Sequence, residues 1–168
     1  MKYIGGCVSI IKSMKKYMIE ALKEAKKAFN LGEVPIGCVV VKDGHIIGRG
    51  HNRTVIEKDP TAHAEILAIR EAAKVIGGWR LLGTELYVTC EPCAMCAGAI
   101  VWARVQKVIF GTKDPKSGAA GSVINVLQQD GLNHQVEIES GVLEEPCKEI
   151  LQNFFRGIRL MKAEDKLL

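Results

Sequence analysis

The chain has 168 residues, 48% of them hydrophobic and 25% charged, which is an ordinary globular balance and about one domain's length. Twenty-three Lys and Arg against nineteen Asp and Glu give a net charge of +4, mildly basic, which permits a nucleic-acid partner without demanding one. No apolar run reaches the ~18 residues of a membrane-spanning helix, so no membrane partner is expected.

Residues 1–13 read as an N-terminal extension, open to disorder, and 14–168 as a single domain. The apolar stretch Tyr3–Ile11 is short and lacks a small-residue cleavage site, which argues against a signal peptide. Met14–Asn30 carries Met14, Tyr17, Met18, Ala21, Leu22, Ala25, Ala28 and Phe29 at helical spacing, with lysines on the other face. Those lysines read as a solvated helix surface. Ile36–Val41 and His45–Gly48 are predicted strands about Asp43-Gly44, a strong hairpin signal. A second helix is expected over Ala62–Val75, stopped by Gly77-Gly78. Glu85–Thr89 reads as a strand. Pro92 then opens a helix to Ala103, since proline suits the first helical position. Lys107–Phe110 is a strand, Gly111–Gly121 a small-residue loop, Val123–Gln128 a short helix and Gln135–Ser140 a strand. A helix over Val142–Met161 ends the domain. Alternating helices and strands with one hairpin predict an α/β fold: a three-layer α/β/α sandwich about one mixed five-stranded sheet.

Three of the six cysteines fall within seven residues, at Cys90, Cys93 and Cys96. The other three, Cys7, Cys38 and Cys147, are scattered and read as plain thiols. A disulfide framework would spread its cysteines, so the usage fits a cytoplasmic protein. Cys93 and Cys96 stand at i and i+3 and share one helical face. His63 and Glu65 open the preceding helix. A helix N-terminus favours the thiolate, and one imidazole with two thiolates suits zinc. Three protein ligands leave a fourth position for water, the pattern of a catalytic zinc. For His63 and Glu65 to act together, His63 must lie at the helix end. Cys90 keeps a second arrangement open, in which Cys90, Cys93, Cys96 and His63 close the coordination around a structural zinc.

His-x-Glu followed by Pro-Cys-x-x-Cys resembles the signature of the zinc-dependent cytidine deaminase superfamily. Three segments are similar, more narrowly, to the bacterial tRNA-specific adenosine deaminases. They are Asp59-Pro60-Thr61-Ala62-His63-Ala64-Glu65, the run Glu91 to Ala99, and Phe110 to Ser122 with its Gly-Ala-Ala-Gly-Ser. Asn133-His134 and Phe154-Phe155-Arg156 also match that family's C-terminal pattern. The resemblance covers roughly Met14 to Lys162. It implies one Zn²⁺ per chain, bound by His63, Cys93 and Cys96, with Glu65 as the catalytic proton carrier. It implies that Asn52, Ala64 and Asp114 bind substrate. Lys113, Lys116 and Arg156 are implied as RNA backbone contacts. The implied reaction is hydrolysis of adenosine to inosine at the wobble position of a tRNA anticodon loop, releasing ammonia. The implied partners are the anticodon stem-loop and a second copy of the chain in a homodimer. Two alternatives stay open. One is a free-base deaminase for guanine or cytosine, since Trp102-Ala103-Arg104 is similar to the guanine branch. The other is a non-enzymatic, zinc-stabilised RNA-binding module, which would need Cys90 as a ligand.

Overall fold

Asp43 and Gly44 both adopt positive φ, 49° and 77°, and close the tight hairpin between β1 (Gly37–Lys42) and β2 (His45–His51). The Tyr17 hydroxyl donates to the Gly44 carbonyl at 2.8 Å and ties this turn to the first helix. That helix, α1, spans Ile4–Asn30 in a computed structural model that describes residues 4–164. It begins at Ile4 rather than Met14, so the helix runs ten residues further toward the N-terminus than expected. No proline interrupts the stretch, and a helix once nucleated adds residues at little cost.

The remaining elements are α2 (Thr54–Glu57), α3 (Ala64–Ile76), β3 (Thr84–Cys90), α4 (Ala94–Ala103), β4 (Lys107–Thr112), β5 (Glu137–Ser140) and α5 (Glu144–Glu164). The strands form one sheet in the order β2-β1-β3-β4-β5. β1 pairs antiparallel with β2 and β3, whereas β3–β4 and β4–β5 are parallel. The mixed five-stranded sheet and the α/β class are those expected from the alternation of elements.

Strand periodicity of two divides the core between the two faces. Cys38, Val40, Leu86, Val88, Val108 and Phe110 point to α3 and α4. Val39, Val41, Tyr87 and Ile109 point to Tyr17, Met18 and Ala21 of α1 and to Cys147 of α5. The result is three layers, with α3 and α4 on one side of the sheet and α1 and α5 on the other. Gly50 of β2 lets α3 approach closely. A Cβ there would overlap the Ala64 carbonyl and the Ala68 amide nitrogen.

Two local expectations are corrected. Val123–Gln128 is not helical. Its amides bond to Gly118 and Ala119 carbonyls, and Ala120 and Asn125 form an isolated bridge, so the segment folds back on the loop before it. The one-turn helix α2 was not expected. It forms because the buried Glu33 carboxylate accepts the Val55 and Ile56 N–H groups at 2.9 and 2.8 Å.

Candidate active site

His63 and Cys93 are both N-cap residues, each with extended backbone, at the starts of α3 and α4. Neither side chain caps its own helix. The His63 ring turns instead to the thiols, with Nδ1 3.7 Å from Cys93 Sγ and 3.5 Å from Cys96 Sγ. Tetrahedral zinc with its usual bond lengths separates a nitrogen and a sulfur ligand by about 3.6 Å, so the trio already has the spacing of a zinc donor set. The three ligand atoms lie within 4.8 Å of one another. The positive ends of two helix dipoles meet here, which favours thiolate.

Contact with Cys96, and then with His63, pulls the Cys93 thiol down to about 4. The same contact and burial push the Cys96 thiol up, so the pair shares its remaining proton. Hydrogen bonding to Cys93 raises His63 against the opposing effect of burial. A metal ion would displace the proton held by Cys96 and supply the positive charge that two thiolates need.

Glu65 is the second residue of α3 and only 3% exposed. Burial pushes its carboxyl up to about 7. A group poised there can both take and return a proton near neutral pH. Because His63 sits at the helix end, the two-residue spacing does not separate it from Glu65.

Cys90 stands outside the donor set. It is the last residue of β3, on the far side of Pro92 from α4, and its thiol is buried and pushed up to about 12. The closed four-ligand arrangement is therefore not built. Cys38, Cys90, Cys93, Cys96 and Cys147 are all free thiols.

Asn52 follows β2 and is buried. Its Oδ1 accepts the Ala64 N–H at 2.9 Å and so provides the cap that the His63 side chain does not. Asp114 sits in the loop after β4. Its carboxylate accepts the Lys116 and Ser117 N–H groups at 2.9 and 3.2 Å. Burial would raise this acid, but the Ser117 hydroxyl and these amides outweigh it and hold it below the usual range.

Asp114 borders a cleft of about 530 Å³, lined also by Val34, Ile36, Cys90, Leu151 and Phe155. A neighbouring cleft of about 430 Å³ is bordered by Lys113, Lys116, Lys148, Phe155 and Arg159. Lys113 and Lys116 thus come together with two basic residues of α5, Lys148 and Arg159, that sequence reading did not single out. Arg156 is exposed on α5 and does not line the cleft. Arg159 lies one helical turn beyond Phe155, on the same side of α5, whereas Arg156 is rotated away from it. Asn133 and His134 serve the fold. Asn133 accepts from Arg104 at 2.6 Å, and His134 contacts the Val105 carbonyl at 2.7 Å.

Glu91 is another residue that sequence reading did not single out. It directly precedes Pro92-Cys93, and its buried carboxylate accepts from the loop that carries Asp114. A Glu before Pro-Cys is visible in the sequence, but its burial is not.

The family of MafB19-like deaminases matches residues 12–159. The tRNA-specific adenosine deaminase of Bacillus subtilis is 57% identical over 146 residues, 87% of this chain and 91% of that protein. A solved structure from studies of A-to-I editing by tRNA:A34 deaminases at the wobble position superposes with a TM-score of 0.78. It is 46% identical and covers 81% of this chain and 99% of its own. The guanine deaminase of Bacillus subtilis superposes less fully, with a TM-score of 0.56 at 45% identity over 58% of this chain and 63% of its own. A His–Cys–Cys cluster at two helix starts that could hold a metal ion, a buried glutamate near it and near full-length likeness agree: the chain belongs to the tRNA-specific adenosine deaminases, within the MafB19-like deaminase family.

Proposed function

We propose that this chain hydrolyses adenosine to inosine at the wobble position of a tRNA anticodon loop, as a homodimer with one Zn²⁺ per chain. The observation that carries the reading is the His63–Cys93–Cys96 trio at two helix N-termini with Glu65 buried beside it. A bound zinc ion supplies activation of water, whose pKa such sites bring to about 7.

The chain's own residues do the rest. Glu65 takes a proton from the attacking water and delivers it to N1 of adenine. Once the C6–O bond has formed, Glu65 takes the proton of the new C6 hydroxyl and passes it to N6 as the C6–N6 bond breaks and the C6 carbonyl forms. Adenosine and water become inosine and ammonia. General acid–base transfer of this kind contributes about 10²–10⁴-fold. Asn52, held by the Ala64 N–H through its oxygen, keeps its amide nitrogen for the base. Ala64, buried at the start of α3, forms part of the same wall. A base in a loop is unstacked at lower cost than one in a duplex. Lys113, Lys116, Lys148 and Arg159 give the cleft the positive border that an RNA backbone requires.

A transfer RNA substrate implies the cytoplasm. Among the described residues no helix is long and apolar enough to cross a membrane. The homodimer reading is supported by Trp102, Val75, Trp79 and Leu82, at 71, 63, 55 and 58% exposure on the layer built by α3, α4 and their connection.

The likeness to a guanine deaminase keeps the free base as a second substrate reading. Side-by-side assays of the zinc-loaded protein on an anticodon stem-loop and on guanine separate the two. Inosine in the stem-loop supports the proposal, and turnover of guanine alone overturns it.

A further inference from the structure

Glu91 is 3% exposed, yet none of the salt bridges of the described residues includes it. A buried carboxylate without a cation is costly unless several donors meet it. Here they come from one loop. Oε2 accepts the Asp114 N–H at 3.0 Å and the Ser122 hydroxyl. Oε1 accepts the Ala120 and Ser122 N–H groups, each at 3.0 Å. Main-chain bonds run beside it. Glu91 N–H donates to the Thr112 carbonyl at 2.9 Å, and Ala119 N–H to the Pro92 carbonyl at 2.8 Å. Gly118 bridges to Cys93, and a Cβ on Gly118 would overlap the Glu91 carboxylate. Gly118 is therefore small because the loop coils around this side chain.

The same loop supplies Asp114, Pro115, Lys116 and Ser117 to the cleft wall. Its conformation is thus set by a side chain two residues before the ligand Cys93. We propose that Glu91 is a positioning residue for RNA: it fixes the Asp114–Ser122 loop as a preformed wall of the substrate cleft and so sets substrate affinity without touching the reacting atoms. The proposal rests on the tRNA reading above. Filling this space needs no charge. Gathering four donors from three loop residues does.

Glu91→Gln tests it. With its amide nitrogen on the Oε2 side, glutamine keeps the Ala120 and Ser122 amide bonds, the Ser122 hydroxyl turns to accept, and the Asp114 bond is lost. On a stem-loop with a wobble adenosine, KM for the zinc-loaded variant rises about tenfold or more, as loss of a buried charged hydrogen bond implies, while kcat falls less than about threefold. Zinc content stays at the wild-type value, and amide exchange speeds up across residues 113–122. An unchanged KM overturns the proposal. So does loss of zinc together with kcat, which would place the role of Glu91 at the metal turn. If wild type makes no inosine, the tRNA reading fails. Equilibrium binding of the same stem-loop then decides the Glu91 proposal, with weaker binding by the variant supporting it and equal binding overturning it. If Glu91→Gln does not fold, Ser122→Ala removes the hydroxyl bond alone, keeps the main-chain N–H bond of residue 122 and leaves the carboxylate. It raises KM about threefold at constant zinc, and a wild-type KM there overturns the proposal.

Discussion

Asn52 Oδ1 accepts the Ala64 N–H at 2.9 Å, so the residue proposed to meet the target base also caps the helix that His63 begins. The His63 ring is thereby free to face Cys93 and Cys96. On the proposed function, substrate recognition and metal binding would share this one hydrogen bond. Asn52→Ala should lower stability by about 1–2 kcal/mol, through a lost cap and an unpaired buried N–H. Asn52→Asp keeps the acceptor and loses the amide donor. Its melting temperature should stay near wild type while KM for the stem-loop rises. Thermal melts and steady-state kinetics on both variants check this pair of outcomes.

Glu65→Ala should retain one zinc per chain and lose deamination by at least about 10²-fold. Glu65 is beside the donor set but is not one of its members. Metal analysis alongside an inosine assay separates the two effects, and a wild-type rate in this variant would exclude Glu65 as the proton carrier.

Removing Cys93 or Cys96 as serine should strip the metal, whereas Cys90→Ser should keep it. Cys90 lies at the end of β3, beyond the turn that presents Cys93. Zinc content of the three purified variants is the measurement.

Gly50→Ala should cost about 1–3 kcal/mol, because the new methyl overlaps main-chain atoms of α3 that cannot move independently. The displaced helix start carries His63, so zinc affinity should fall with stability. Denaturant melts and a zinc competition titration read the two together.

Burial works to raise the Glu91 carboxyl, but the Ser122 hydroxyl and the loop amides outweigh it and hold it below the usual range. A depressed folded-state value means that Glu91 stabilises the fold above its unfolded pKa of about 4.3 and that this contribution is lost as pH falls through the folded value. Glu91→Gln has no such proton to take up. Its stability should therefore fall less steeply than wild type as pH drops below about 4.3. Denaturant melts across the acid range compare the two slopes.

Much of this was legible in the sequence, for local reasons. Asp43-Gly44 specifies its turn by chirality, and the α3 and α4 helices announce themselves by periodicity and by Pro92. The His63, Glu65, Cys93 and Cys96 cluster was readable because metal chemistry restricts residue type and spacing. Val123–Gln128 was misread because its amides bond back to Gly118 and Ala119, contacts that periodicity does not encode. The one-turn α2 exists through Glu33, twenty-two residues away from Val55. Arg156 and Arg159 could not be ranked until α5 had a rotation relative to the cleft. Glu91 lay inside a recognised motif, but the donors that give it a role come from a loop more than twenty residues on.

Deamination of a tRNA adenosine at this site can be measured outright. Incubation of the zinc-loaded protein with a transcript bearing adenosine at the wobble position, followed by nucleoside analysis, tests it most directly. Inosine at that position and ammonia in equal amount are expected, both absent with Glu65→Ala. An unaltered transcript, with guanine converted by the same preparation, would contradict the proposed function.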